Sequence, residues 1–147
     1  MSPGRVDKVL VRRHLLALDA ALVALERLKA SAPADLRRDL EKLWAIERGL
    51  QLCSQNAIDV ATHLAAASGS DVPDYTTAID RLASLDILPA PFATRFRGVA
   101  GFRNVLVHGY LEVDVALVRT FLDTRLDDFR ELARRVDAYL AAPETSD

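Results

Sequence analysis

Apolar residues recur at Val6, Val9, Leu10, Leu15, Leu18, Leu22, Leu25 and Leu28, mostly three or four positions apart, which predicts an amphipathic helix from Val6 to Leu28. Ala32-Pro33 ends it. A second stripe, Leu36, Leu40, Leu43, Ile46, Leu50, Cys53, Ala57, Val60 and Leu64, runs from a Pro33 start to a Ser68-Gly69 stop, the usual asymmetry of proline first and glycine last. It predicts a helix of more than about 30 residues, a length that points to a long hairpin or to a surface shared by two copies of the chain. Ser70 to Asp74 reads as a loop, and Tyr75 to Leu85 as a short helix capped by Asp74. After the connection Ile87 to Pro91, Phe92 to Val107 is helical but punctuated by Gly98 and Gly101, with Gly109 close behind. Val115, Val118, Leu122, Leu126, Phe129, Leu132, Val136 and Leu140 complete the pattern, with Asp114 at the start and Pro143 beyond the end. Period-two alternation is missing, so the expectation is an all-α bundle of four principal helices plus one or two short ones.

Composition narrows the class. The chain has 147 residues, 50% of them hydrophobic and 27% charged, with 6 glycines and 6 prolines, the balance of one folded domain. We expect a single domain over residues 1–147, ordered from about 5 to 140 with a frayed tail at 141–147. Cys53 is the only cysteine, so no internal disulfide can form. Arg12, Arg13 and His14 interrupt the apolar residues near the start, and no run approaches the roughly 18 apolar residues of a membrane span. A cytoplasmic protein with no membrane contact is the expectation.

The net charge of −2 argues against broad nucleic-acid binding, but its distribution is uneven. Ile87 to Leu111 contains Arg95, Arg97 and Arg103 together with His108, and no acidic residue. That window carries +3 and the remainder −5. Of the three histidines, His14 is expected on the surface of the first helix and His63 in a structural hydrogen bond four positions after Asp59. His108 differs in its company: it follows Arg103 and Asn104, precedes Tyr110, and lies between glycines. No second His or Cys stands at ligand spacing, so no metal site and no bound cofactor are expected.

On a helix, Arg103 and Tyr110 return to within about 20° of one another and Asn104 neighbours His108, whereas Arg103 and His108 stand about 140° apart. Arginine offers a planar fork suited to phosphate, and an imidazole titrates near pH 6.5. Together they suit phosphodiester cleavage in RNA, where the 2'-hydroxyl is its own nucleophile and the protein moves protons and neutralises charge. A two-fold dimer would double this sparse set. From spacing alone, an arginine on a helix surface and a histidine in a packed turn explain the same residues.

Arg103, four residues, His108, one residue, Tyr110 is the pattern R-x4-H-x-Y, set within Ala100-Gly-Phe-Arg-Asn-Val-Leu-Val-His-Gly-Tyr110. This resembles the HepT toxins of the HEPN superfamily, as do Leu50 to Leu64, Asp86-Ile-Leu-Pro89 and Arg125-Leu-Asp-Asp-Phe-Arg130, so the resemblance spans roughly residues 5 to 140. It implies a dimeric HEPN-type bundle acting as a metal-independent endoribonuclease, the toxin of a type VII toxin–antitoxin system, with its groove at the homodimer interface. Carried over, Arg103 would stabilise the scissile phosphate, His108 would be the general acid or base, and Asn104 would orient the substrate. Tyr110 would receive AMP from a cognate MntA-like nucleotidyltransferase antitoxin. Arg95 and Arg97 are further candidates for RNA phosphate contacts. The implied substrate is a transfer or messenger RNA, with no DNA partner. Gly109 departs from relatives that carry an acidic residue there. The alternative is a non-catalytic HEPN domain that binds a nucleotide or a partner protein.

Overall fold

The computed structural model describes residues 5–109 and 113–143. Its two longest helices, α1 (Lys8–Ser31) and α2 (Leu40–Ala67), form an antiparallel hairpin. The direction follows from cross-contacts at both ends. The His63 ring meets the backbone of Asp7 at 3.0 Å, His14 meets Asn56 at 2.8 Å, and Lys42 Nζ reaches the Ser31 carbonyl at 2.9 Å. Both helices start on an aspartate whose carboxylate accepts a backbone N–H of the first turn, Asp7 from Leu10 and Asp39 from Lys42. Gly49 allows the pair to close. A Cβ there would stand 2.7 Å from Leu25 Cδ2 on the facing helix.

Because α2 starts at its Asp39 cap, it has 28 residues rather than more than 30, and the stretch after Pro33 becomes a separate 3₁₀ turn over Leu36–Arg38. α2 is the central post, burying Leu43, Ile46, Leu50, Cys53, Ala57, Ile58, Val60, Ala61 and Leu64. Gly69, at φ 87°, ends the run in a conformation that suits glycine. α3 (Tyr75–Ser84) then packs back on α2, its first turn capped by Asp74 at 2.7 Å from the Thr77 nitrogen.

The third and fourth principal helices are present, each divided in two. α4 (Ala90–Phe96) and α5 (Gly98–His108) meet at Arg97, and α6 (Val115–Thr124) and α7 (Leu126–Ala141) meet at Arg125. Aromatic contacts lock these pieces together. Phe96 meets Phe129 edge-on at 5.8 Å, holding α4 on α7, and Phe102 stacks on Phe121 at 3.7 Å, holding α5 on α6. α7 lies along α1, where Arg130 pairs with Glu26. All the described elements are helices or the 3₁₀ turn. Among the described residues no helix is long and apolar enough to cross a membrane.

Some apolar surface is left over. Val9, Leu16 and Val23 recur at seven-residue spacing on the side of α1 opposite Val11, Leu18 and Leu25, and the first two are 70% exposed. On α2, Leu40, Leu52 and the 61% exposed Trp44 are also uncovered.

Candidate active site

α5 carries the candidate residues, and its position follows from its buried side. Val99, Ala100 and Phe102 face the interior, which turns Arg103 along the flank of α2. The Arg103 guanidinium is half-buried and engaged on three sides. Its Nε–H donates to Gln55 Oε1 of α2 at 2.9 Å, Nη1 donates to Asn104 Oδ1 at 3.2 Å, and Cζ lies 5.5 Å from the centre of the Tyr75 ring of α3. None of these partners is charged. The nearest carboxylate in the chain of contacts is Asp59, which accepts from Gln55 Nε2 at 2.8 Å.

His108 is the last residue of α5 and is exposed; Gly109 leaves the helix at φ −85°, ψ 56°. Among the described residues it has no hydrogen-bond or ion-pair partner. The structure therefore brings Arg103 and Asn104 into contact and places His108 on the same helix without joining it to either. Tyr110 lies outside the described residues.

Arg95 and Arg97 stand differently. Arg95 donates through Nε and Nη2 to Asp128 Oδ1 at 3.2 and 3.1 Å, and Arg125 Nε meets the other oxygen at 2.6 Å. Asp128 is buried between the two arginines. Arg97 pairs with Asp80 at 3.3 Å, with both side chains about half exposed. Both arginines thus meet a carboxylate directly, Arg95 sharing its partner with Arg125, whereas Arg103 does not.

Two of the histidine expectations resolve structurally. His63 Nε2 accepts the backbone N–H of Asp7, fixing the α1 start onto α2, as its expected structural role requires. His14 is a correction, because it is half-buried and held by Asn56 rather than free on the surface. Asn56 Nδ2 donates to the Leu52 carbonyl, so its oxygen faces His14 and accepts from Nδ1–H. Cys53 is buried, and the apolar surroundings push its thiol up to about 12, which makes it a poor nucleophile. No three His, Cys, Asp or Glu residues gather as a metal-ligand set among the described residues. A cavity of about 720 Å³ between the start of α1 and the end of α7, lined by Arg5, Val6, Tyr139 and Leu140, includes none of Arg103, Asn104 or His108.

Gln55, Asp59 and Tyr75 are contacts that sequence patterning missed. The available signal was a polar pair one helical turn apart, Gln55 and Asp59, in the C-terminal half of α2.

Comparison with known proteins agrees with this architecture. The chain is 26% identical over 141 residues to the tRNA nuclease HepT of Aphanizomenon flos-aquae, covering 95% of each chain. It is 26% identical over 99 residues to the mRNA nuclease HepT of Shewanella oneidensis, covering 67% of this chain and 74% of that one. Its fold matches that of the tri-AMPylated Shewanella oneidensis HEPN toxin solved in complex with MNT antitoxin, with a TM-score of 0.78 at 18% identity, over 87% of this chain and 96% of that one. YutE of Bacillus subtilis, a cytosolic protein of unknown function, shares the fold at a TM-score of 0.79 and 16% identity, over 95% and 96% of the two chains. The family described as Ribonuclease HepT-like matches residues 18–136, most of the sequence, and the chain belongs to that family.

Proposed function

We propose that this protein is a cytoplasmic endoribonuclease toxin that cleaves transfer or messenger RNA without a metal ion. The observation that carries this reading is the Arg103 guanidinium, placed on α5 with only neutral partners, five positions before an exposed His108. A permanent cation without a carboxylate of its own suits a phosphate whose negative charge grows in the transition state. The 2'-hydroxyl attacks the adjacent phosphorus as its proton passes to a base. The P–O5' bond breaks, and the leaving oxygen takes a proton from an acid, giving a 2',3'-cyclic phosphate and a 5'-hydroxyl end. His108 serves as acid or base, Arg103 holds the phosphate, and Asn104 fixes one edge of Arg103 and orients the substrate.

One histidine is sparse for two proton transfers, and a homodimer supplies a second. The uncovered row Val9, Leu16 and Val23 on α1, with Leu52 and Trp44 on α2, supports assembly with another copy. Arg97, in an exposed pair, is retained as a peripheral phosphate contact; Arg95 is committed to Asp128.

Regulation follows from the relatives. A Shewanella HEPN toxin is AMPylated and bound to an MNT antitoxin. Here the acceptor is Tyr110, modified by a cognate MntA-like nucleotidyltransferase, and the added phosphodiester places negative charge near Arg103.

The test is incubation of the purified chain with total cellular RNA in EDTA, beside Arg103→Ala and His108→Ala. Cleavage by the unaltered chain and none by the variants is expected; cleavage that requires added metal, or that persists in both variants, overturns the mechanism. Intact mass after incubation with ATP and the transferase is expected to rise by AMP units, and not in Tyr110→Phe.

A further inference from the structure

We propose that Gln55, itself held by Asp59, is a positioning residue that aims the Arg103 guanidinium at the substrate while leaving its charge uncompensated, an inference that rests on the reading of Arg103 as the phosphate-binding group. A guanidinium presents five N–H donors in one plane. In Arg103 the Nε–H is taken by Gln55 Oε1 and an Nη1–H by Asn104 Oδ1, while the Tyr75 ring lies against the cation. Nη2 has no hydrogen-bond partner among the described residues. Nη2 is therefore the donor left to a phosphate, next to the Nη1 that Asn104 already engages. Side-on approach across Nε is closed by Gln55.

The orientation of the Gln55 amide is fixed from behind. Its Nε2 donates to Asp59 Oδ1, one turn further along α2, so Oε1 is the atom presented to Arg103. A flipped amide would set N–H against N–H at Arg103 and place two oxygens together at Asp59. Asp59 thus directs an arginine it does not itself touch. The contrast within the same molecule is Arg95, whose carboxylate partner Asp128 meets it directly. Placing a carboxylate at position 55 would turn Arg103 into a second such pair and set an intramolecular anion against the phosphate.

The experiment compares initial rates of total cellular RNA cleavage, across pH, for the unaltered chain, Gln55→Glu, Gln55→Met, Asp59→Asn and Arg103→Ala, with thermal melting of each. Gln55→Glu is expected to cleave about 10- to 100-fold more slowly near neutral pH, the scale on which a misplaced catalytic group costs rate. Its melting temperature should change little, the new pair with Arg103 offsetting the repulsion between the carboxylates at positions 55 and 59. Its rate relative to the unaltered chain should recover in acid as the new carboxyl, drawn down from the usual range near 4.3 by Arg103 and pushed up by Asp59, takes a proton and again offers Arg103 a neutral oxygen. Gln55→Met, which keeps the bulk without the acceptor, is expected to lose about tenfold, and Asp59→Asn, which frees the amide to flip, a smaller factor. A Gln55→Glu rate equal to that of the unaltered chain, or reduced by a factor that does not vary with pH, overturns the inference. If Arg103→Ala is inactive while Gln55→Glu is normal, the positioning role alone fails. If Arg103→Ala is active, the reading of Arg103 fails and takes the positioning role with it.

Discussion

Arg95 and Arg103 belong to the same acid-free window and to adjoining helices, yet the fold treats them in opposite ways. Arg95 lies across the α4–α7 contact, where it shares the carboxylate of Asp128 with Arg125, and Arg125 Nη2 also donates to the Arg95 carbonyl at 3.0 Å. Arg103 lies across the α5–α2 contact, where an amide and a second amide take its Nε and one Nη donor and an aromatic ring covers one face. A carboxylate partner satisfies an arginine's hydrogen bonds and cancels its charge at once. An amide partner does only the first. The same residue type thus serves as a joint in one place and as an available cation in the other, and the difference lies in whether the facing helix presents a carboxylate, Asp128, or an amide, Gln55.

Substitutions can break this comparison at either end. The largest effect is expected from Arg103→Ala and His108→Ala, which should each slow RNA cleavage by about 100- to 10,000-fold. Because His108 is exposed, its replacement should leave the denaturant midpoint in place. Asp128→Ala should do the reverse. Two arginines lose a buried shared partner, so unfolding by urea should show a loss of about 3 kcal/mol, the scale for breaking a buried ion pair. Cleavage per folded molecule is expected to change far less. Gly101→Ala tests the helix that carries the site without touching either arginine. A Cβ there meets nothing within 4 Å, so the lower backbone entropy of alanine should raise stability by about 0.5 to 1 kcal/mol in the same titration. The smallest effect belongs to Arg97→Ala. The exposed Arg97–Asp80 pair contributes little to stability, and losing one peripheral cation should raise the apparent KM for RNA by less than about threefold at physiological salt.

Helix identity was legible where an aspartate preceded an apolar stripe. Asp74 and Asp114 were each read as helix starts, and both side chains accept the backbone N–H three residues on. Hydrogen bonding to the ionised form holds the Asp74 carboxyl below the usual range, so the α3 cap persists in mild acid and is lost only as pH falls through that lowered value. The break at Arg97 falls beside Gly98, one of the two glycines that punctuate that stretch, whereas the break at Arg125 was not legible. Leu122, Leu126 and Phe129 keep helical spacing straight through Arg125, while the backbone there moves to φ −116°, ψ −1° and its side chain turns to bind Asp128. Apolar periodicity records which side of the chain is buried and is blind to a bend that keeps the same side inward. At the site, Arg103, Asn104 and His108 were visible because charge and titration are properties of single residues. Gln55 was not, since its role is a contact across 48 positions made by an uncharged side chain with no pattern of its own.

Gly49 has a consequence beyond the hairpin it closes. It lies six residues before Gln55 on α2, about 9 Å along the axis at the helical rise, and Leu25 Cδ2 fills the space where its side chain would stand. The spacing between α1 and α2 therefore sets the pitch of the rod from which Gln55 reaches Arg103. A methyl group at position 49 would act as a shim under that rod, shifting its far end against α5 while every residue of the site kept its identity. A change in the thickness of that single contact would thus reach Arg103 through the helix, from a side of α2 about 120° round from Gln55.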